Sequence, residues 1–205
     1  MIATALEDIL ARRDVWRGTN AAWAETLPSG FASLDARLGG GWPLGTLIEC
    51  FAARPGSGEV ALYLPALARV TASHAAAFVA PPQPPYAPAL TRSGVNLSRL
   101  LIIDPDTAHE RLWATAQSLA SGACRMLLFW TRRLDGRALR QLLLAAEGGR
   151  ALAVLFRPLV EAGEPSPAAL RLVVEPDADA GAIVNLLKCR GRPACAIHLH
   201  SFAPA

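Results

Sequence analysis

The chain has 205 residues, of which 52% are apolar and 18% are charged, and its formal net charge is +3. This length suits one domain with a buried core, which excludes a disordered tail protein, a collagen-like rod and a coiled-coil rod. The cationic residues are 19 arginines and one lysine, a bias that we attribute mainly to G+C-rich coding. The net charge is too small to indicate nucleic-acid binding by itself.

Neither the apolar runs nor the cysteines are typical of a membrane or secreted protein. No run reaches the roughly 18 to 20 apolar residues that cross a bilayer, and Glu7, Asp8 and Arg12 interrupt the N-terminal apolar segment. The four cysteines lack the spacing of a disulfide framework, so we expect a cytoplasmic protein with reduced thiols. Near the C-terminus, alternation along a strand would point Cys195 and His198 to opposite faces, so we expect no metal.

Apolar periodicity predicts a helix and arm over residues 1–27 and a core domain over residues 28–205. In the core, short apolar strands alternate with helices, and three strands without intervening helices follow. This order predicts an α/β fold with a mainly parallel sheet, helices on both faces and an antiparallel C-terminal extension. The predicted strands are 46–51, 75–80, 100–103, 125–130, 151–156, 169–174, 182–188 and 194–201. The predicted helices are 2–13, 31–38, 59–72, 89–93, 107–121 and 136–147.

The turn after the first core strand has the glycines of a phosphate-binding loop without its charged residue. Such a loop reads G-x-x-x-x-G-K-[ST] between a strand and a helix. In the corresponding stretch from Ala53, Gly56 and Gly58 remain, but Glu59 stands at the lysine position and Val60 at the hydroxyl position. Because a carboxylate repels a triphosphate, we expect no nucleotide cofactor and no tight ATP binding.

Several segments, in a consistent order and spacing, resemble the core of the RecA recombinase family. The resemblance implies a RecA-like three-layer core for this chain. The segments are residues 28–35 (PSGFASLD), 39–45 (GGGWPLG), 86–88 (YAP), 93–100 (SGVNLSRL), 105–107 (PDT) and 185–190 (NLLKCR).

The departures from the RecA pattern fall on its catalytic residues. Where that family carries its catalytic glutamate after the second strand, residues 81–84 read PPQP. The acidic residue that ends the next central strand is replaced by Phe129 and Trp130. Phosphoryl transfer depends on such groups to hold magnesium and orient water, so the sequence predicts a non-catalytic relative rather than an enzyme. The two DNA-binding loops of the family correspond to short stretches at residues 131–136 and 157–167.

Further segments over essentially the whole chain resemble the ImuA family of small RecA- and SulA-like proteins. They are residues 15–18 (VWRG), 80–88 (APPQPPYAP), 122–124 (GAC), 155–158 (LFRP) and 166–171 (SPAALR). The resemblance implies an accessory protein of SOS-induced mutagenesis and translesion synthesis. Its implied partners are the Y-family-like ImuB protein and an error-prone C-family polymerase. One alternative is a SulA-type cell-division inhibitor that binds a tubulin-like division protein. Another is a residual ATPase, which Glu59 opposes.

A cluster of arginines follows a central strand, at the edge of an open α/β sheet where ligands gather. We expect these side chains to contact the phosphates of single-stranded DNA, although a solvated surface is the alternative. Two further cations match a lysine pair that, in RecA, reaches the nucleotide across a protomer interface; here they would face DNA or a partner, or be ordinary strand charges. The candidate DNA-binding residues are Arg132, Arg133, Arg137, Arg140, Arg157, Lys188 and Arg190.

The N-terminal arm carries a large aromatic residue outside the predicted core. In the RecA family the corresponding segment pairs with the sheet of the neighbouring subunit. Val15 and Trp16 are therefore candidate docking residues for a partner such as a RecA filament. Folding back of the indole onto its own domain is the alternative.

Overall fold

All eight predicted strands form, and the structure adds two short strands before the first of them. In the computed structural model of the protein, the described residues are 23–54, 56, 58–177 and 181–199. The predicted helix over 2–13 lies outside these residues. The strands are β1 (Thr26–Leu27), β2 (Trp42–Pro43), β3 (Thr46–Ala52), β4 (Ala75–Val79), β5 (Leu100–Ile103), β6 (Cys124–Trp130), β7 (Leu152–Pro158), β8 (Leu170–Pro176), β9 (Ala182–Cys189) and β10 (Cys195–Leu199). The α-helices are α1 (Ala32–Leu38), α2 (Leu64–Thr71), α3 (Ala87–Arg92), α4 (Ala108–Ala120) and α5 (Gly136–Gly149).

Eight strands form one sheet in the order β10-β9-β8-β3-β7-β6-β4-β5, and β1 pairs with β2 in a separate ribbon. The six strands from β8 to β5 run parallel to one another, whereas β9 and β10 are antiparallel to their neighbours. The predicted fold, a mainly parallel sheet with an antiparallel C-terminal extension, is confirmed. The parallel strands place the loops that follow β3, β4, β6 and β7 at one edge of the sheet.

Helices cover both faces of the parallel strands, and each face has its own apolar core. One, the α2 face, packs Ile48, Val154 and Leu128 of the sheet against α1 and α2. The other, the α5 face, packs Leu47 and Leu155 against α4 and α5. Burial on both faces explains why the central strands read as continuous apolar runs.

Helix α2 begins later than the predicted helix over 59–72. Residues Ala61–Tyr63 form a 3₁₀ turn, and the α-helix starts at Leu64 with Pro65 in its first turn. Proline has no amide hydrogen and suits only the first turn of a helix. Glu59 and Val60 therefore belong to the loop, which matters for the site described below.

The folded unit begins before the predicted boundary after residue 27. The Trp23 indole Nε1 donates a hydrogen bond to the Leu38 carbonyl at 2.8 Å, and the Glu25 carboxylate pairs with Arg125 and Arg150. Strand β1 also pairs with β2. Residues 23–27 are thus part of the core domain, because they satisfy polar groups and cover apolar surface at its N-terminal side.

Candidate functional site

The loop after β3 holds a carboxylate from its own chain. The Gly56 amide donates a hydrogen bond to Glu59 Oε1 at 2.8 Å. Gly56 and Gly58 have φ values of +85° and +92°, a left-handed backbone that glycine adopts without strain. Glu59 is only 4% exposed, and its second oxygen, Oε2, is buried without a hydrogen-bond partner among the described residues. The Gly56 amide, which in a phosphate-binding loop would face a phosphate, thus donates to a side-chain carboxylate here.

Buried, apolar or weakly acidic side chains surround this carboxylate. Val60 packs against the α2-face core and presents no hydroxyl. Burial raises the pKa of the Cys50 thiol well above its usual range, and the nearby Glu59 carboxylate raises it further. Burial likewise raises the pKa of the Tyr63 hydroxyl. Both groups stay protonated at neutral pH, so they bring no further negative charge to the loop.

A row of five aromatic rings lies on the α2 face beside the strand ends. Trp42 stacks on Tyr63 with centroids 4.7 Å apart, and Tyr63 meets Phe156 edge-on at 5.7 Å. Phe156 stacks on Trp130 at 4.8 Å, and Trp130 meets Phe78 edge-on at 5.4 Å. We call these five rings the aromatic wall, and Trp130, at the end of β6, belongs to it.

Four of the candidate DNA-binding arginines lie together. Arg132 and Arg133 follow β6, and Arg137 and Arg140 lie in the first turns of α5, which Asp135 caps by accepting a hydrogen bond from the Ala138 amide at 2.7 Å. We call these four the arginine patch. All four side chains are exposed. Arg133 lies 3.6 Å from a Glu161 carboxylate oxygen, whereas the other three have no ion pair with any described residue.

The prediction that Arg157 binds DNA is wrong, because its side chain is buried. Its side chain is 1% exposed and pairs with Glu49 on one side and with Glu161, at 3.2 Å, on the other. Glu49 is fully buried and also accepts a hydrogen bond from Arg171 Nε at 2.7 Å. Arg157 is committed to this cluster, because a buried cation needs a partner carboxylate. We call Glu49, Arg157, Arg171 and Glu161 the buried charge cluster.

Sequence reasoning missed the buried charge cluster, although one signal pointed to it. Glu49 interrupts an otherwise apolar central strand, and a carboxylate is rarely buried there unless it is paired. Its two partners come from the neighbouring strands β7 and β8, which flank β3 on either side. The residues that pair with Glu49 are more than 100 positions away along the chain.

Lys188 and Arg190 lie far from the arginine patch. They are exposed at the end of β9, and strands β8, β3 and β7 lie between β9 and β6. Four strand spacings, about 19 Å, separate β9 from β6. The structure therefore divides the predicted DNA-binding residues into two groups and one buried arginine. The candidate docking residues Val15 and Trp16 lie outside the described residues.

Among the described residues, no group of three or more histidine, cysteine, aspartate or glutamate side chains could hold a metal ion. Within the same residues, no helix is long and apolar enough to span a membrane. The loop around Glu59 and the end of the aromatic wall at Trp130 lie where β3 and β6 end.

Comparison with known proteins decides the family. The RecA N-terminal domain family matches residues 15–131, which is more than half of the chain and includes the loop around Glu59. The chain belongs to the RecA family. Protein RecA of Gloeothece citriformis is 40% identical over 103 residues, which cover 48% of this chain and 28% of that protein. Protein RecA of Crocosphaera subtropica is 38% identical over 103 residues, which again cover 48% of this chain and 28% of that protein. Protein RecA of Listeria welshimeri is 35% identical over 105 residues, which cover 50% of this chain and 30% of that protein.

This RecA-family chain spans less than a third of the length of these curated relatives. The matched part includes β1 to β6 and ends at residue 131, where the arginine patch begins. The buried charge cluster draws three of its four members from beyond the match. The family match therefore covers the loop and the strands up to β6, and the arginine patch lies directly after the matched residues.

Proposed function

We propose that this protein is a non-catalytic member of the RecA family that serves as an accessory protein in DNA-damage-induced translesion synthesis. In this role it binds partner proteins and single-stranded DNA and does not turn over ATP. The observation that carries the proposal is the hydrogen bond from the Gly56 amide to the Glu59 carboxylate at 2.8 Å. The loop that would receive a phosphate already holds a carboxylate.

The charge at this position opposes nucleotide binding. Two like unit charges 4 Å apart repel by about 4 kcal/mol at an effective dielectric constant near 20, and a triphosphate brings several charges. Glu59 is buried, so water screens it little. A nucleotide would have to displace the carboxylate from the Gly56 amide and then lie beside it.

The groups that drive phosphoryl transfer are also replaced. Such transfer depends on magnesium-binding oxygens and on a residue that orients the nucleophile. Trp130 ends β6 within the aromatic wall, and residues 81–84 (PPQP), of which 82–84 are exposed, follow β4. These positions support the absence of catalysis independently of Glu59.

The arginine patch supports contact with single-stranded DNA. Arg132, Arg137 and Arg140 are exposed and have no ion pair with a described residue, so they can bind phosphates without first breaking one. The patch lies at the carboxyl ends of the parallel strands, where open α/β sheets gather their ligands. We propose that Arg132, Arg133, Arg137 and Arg140 bind the phosphate backbone without sequence preference.

The partner proteins follow from the resemblance to the ImuA family. We propose that the chain binds the Y-family-like ImuB protein and, with it, an error-prone C-family polymerase. Val15 and Trp16 are the proposed docking residues for a RecA filament, where one buried indole would contribute a few kcal/mol. A change in fluorescence on titration with RecA filaments, absent in Trp16→Ala, would support that contact.

Calorimetry with Mg-ATP tests the non-catalytic part of the proposal. The wild-type protein should give no heat of binding at micromolar concentrations and no phosphate release. The double variant Glu59→Lys and Val60→Thr restores the loop chemistry, so it should gain affinity but no turnover. Micromolar binding by the wild type, or hydrolysis by the double variant, would contradict the proposal.

A pull-down tests the accessory role. Purified tagged protein should retain the ImuB-like protein from the same organism, and deletion of the coding sequence should lower the frequency of mutations induced by ultraviolet light. Retention of the tubulin-like division protein in place of the ImuB-like protein would instead favour a division inhibitor.

A further inference from the structure

One tryptophan of this protein projects into solvent from a helix, although indole rings are on average well buried. Trp113, in the second turn of α4, is 59% exposed. The three other tryptophans of the described residues, Trp23, Trp42 and Trp130, are buried or half-buried, and each has a hydrogen-bond or ring partner. Within the same residues, Trp113 has no such partner. A large exposed ring of this kind is typical of a contact with a ligand.

The side of α4 that carries Trp113 faces α5. Residues two apart on a helix point about 200° apart, so Arg111 and Trp113 lie on opposite sides of α4, with Leu112 packed on the core between them. Arg111 turns towards the end of the edge strand β5. Its Nε donates a hydrogen bond to the Pro105 carbonyl at 2.8 Å, and its Nη2 lies 3.8 Å from an Asp104 carboxylate oxygen. Helix α5 packs over β3 and β7, on the side of α4 away from β5, so Trp113 lies beside α5.

Trp113 also lies close to the arginine patch along the helix axis. Helices α4 and α5 both connect parallel strands, so they run in the same direction, and they touch where Gly149 meets the Leu119 carbonyl. With a rise of 1.5 Å per residue, Trp113 lies about 9 Å before that contact. Arg140 and Arg137 lie about 13.5 Å and 18 Å before it, towards the carboxyl ends of the strands. The indole is therefore about one to two helical turns from the two arginines of α5.

The outer side of α5 leaves room for a ligand beside the indole. Its exposed residues Arg137, Gln141, Leu144 and Gly148 are three or four apart and so form one row, opposite the residues that face the core. Leu144 is 61% exposed, and a Cβ on Gly148 would meet nothing within 4 Å. The row begins with a cation of the arginine patch and ends in open space.

We propose that Trp113 is a base-stacking residue for the single-stranded DNA whose phosphates the arginine patch binds. Proteins that bind single strands combine cations that contact the phosphates with aromatic rings on which the bases stack. Every base has a flat face, so stacking adds affinity without sequence preference. The inference rests on the proposed contact between DNA and the arginine patch, and it adds an aromatic residue to a site that consists of cations alone.

The alternative ligand of this surface is an acidic segment of a partner protein. Arg132, Arg137 and Arg140 could pair with its carboxylates. The apolar part of the surface, however, is one indole and one leucine, which is too small for the desolvated centre of a stable protein interface. An exposed indole near unpaired arginines instead matches a ligand that carries both phosphates and flat rings.

Fluorescence anisotropy with a labelled thymidine oligonucleotide and an abasic oligonucleotide of the same length tests base stacking. The wild type should bind the thymidine oligonucleotide at least about fivefold more tightly than the abasic one, because stacking on one ring contributes at least that factor. Trp113→Ala should lose this preference, and Trp113→Phe should keep most of it. The slope of log affinity against log salt should be the same in wild type and Trp113→Ala, since stacking releases no counterions.

The control is Tyr86→Ala, which removes an exposed ring before α3, on the opposite face of the sheet, and should keep the wild-type preference. Circular dichroism would verify that each variant is folded. A Trp113→Ala variant that keeps the preference for bases would overturn the inference and leave the arginine patch as a phosphate site. If that variant also failed to retain the ImuB-like protein, Trp113 would belong to a protein contact. A wild type that binds neither oligonucleotide would contradict the proposed DNA contact itself, and the inference with it.

Discussion

Two sets of arginines in this protein look alike in the sequence and differ in their surroundings. Arg157 of the buried charge cluster is 1% exposed and has two carboxylate partners. Arg132 of the arginine patch is exposed and has no ion pair with any described residue. A buried guanidinium is held by the carboxylates that compensate it, whereas an exposed one is available to a ligand. Burial, and not residue type, separates the paired Arg157 from the unpaired Arg132.

Replacing Arg157 should give the largest loss of stability. Arg157→Met leaves the buried Glu49 carboxylate with Arg171 alone, so the free energy of unfolding should fall by about 3–5 kcal/mol. Urea denaturation followed by circular dichroism measures this change. Arg132→Met, the same substitution in the arginine patch, should change stability by less than about 0.5 kcal/mol.

A triple variant distinguishes a loss of stability caused by the uncompensated carboxylate from one caused by lost packing. If the uncompensated carboxylate causes it, Arg157→Met combined with Glu49→Leu and Arg171→Leu should recover most of the stability. A triple variant as unstable as the single one would mean that Arg157 acts through its packing and not through its charge.

Two neighbouring glycines at the end of α5 differ in the space around them, as the two sets of arginines differ in burial. A Cβ on Gly149 would lie 1.8 Å from the Leu119 carbonyl oxygen, whereas a Cβ on Gly148 would meet nothing within 4 Å. Gly149→Ala should therefore destabilise the protein by about 1–3 kcal/mol through steric overlap. Gly148→Ala should stabilise it by up to about 1 kcal/mol, because alanine favours the helix. Thermal melting distinguishes the two, and equal effects would contradict the close contact between α4 and α5.

The contribution of the arginine patch to DNA binding should be measurable as a change in the salt dependence of the affinity. Arg132→Ala combined with Arg133→Ala should weaken binding of single-stranded DNA about tenfold for all sequences alike, a loss of roughly 1.4 kcal/mol. The slope of log affinity against log salt should become shallower by about 1.4, since each lost phosphate contact contributes about 0.7.

Fluorescence anisotropy with a labelled oligonucleotide at several salt concentrations measures both quantities. Arg69→Ala, the loss of an exposed cation in the last turn of α2, is the matched control and should leave the slope unchanged. A double variant that binds as the wild type does would make the patch an ordinary solvated surface.

The smallest expected change in stability concerns the capping box at the start of α4, in which an exposed carboxylate stabilises the first turn of the helix. The Thr107 hydroxyl accepts a hydrogen bond from the Glu110 amide, and the Glu110 carboxylate accepts hydrogen bonds from Thr107. The side-chain hydrogen bond from Thr107 lowers the pKa of Glu110, and the bond from its backbone lowers it further. Thr107→Ala should cost about 1 kcal/mol at neutral pH.

The sign of the pH dependence follows from the lowered pKa. The unfolded chain binds the proton of Glu110 more readily than the folded one, so the stabilising effect of the carboxylate is present above its unfolded pKa. It is lost as the pH falls through the folded pKa. The difference in stability between wild type and Thr107→Ala should therefore shrink in acid. A difference that is independent of pH would show that the hydroxyl alone provides the cap.

Much of the fold could be predicted from the sequence, because local chemistry sets it. Apolar runs of four to seven residues between helical segments indicate buried parallel strands, and the capping residues Thr107 and Asp135 mark where α4 and α5 begin. The sequence likewise shows Glu59 at the position where the phosphate-binding pattern has lysine. Pro65 indicates a helix that starts near residue 64, because proline suits the first turn, but the helix was predicted from residue 59.

Pairing across the sheet was decided by tertiary structure alone. Nothing near Arg157 in the sequence shows that β3 lies beside β7 and β8, so its burial against Glu49 could not be foreseen. Strand order likewise separates Lys188 from the arginine patch, because β8, β3 and β7 lie between β9 and β6, although both are exposed cations. The sequence determined which segments form strands and helices, since periodicity and caps act over a few residues. Strand order, which acts over more than 100 residues, determined which charges are buried and which remain free to bind.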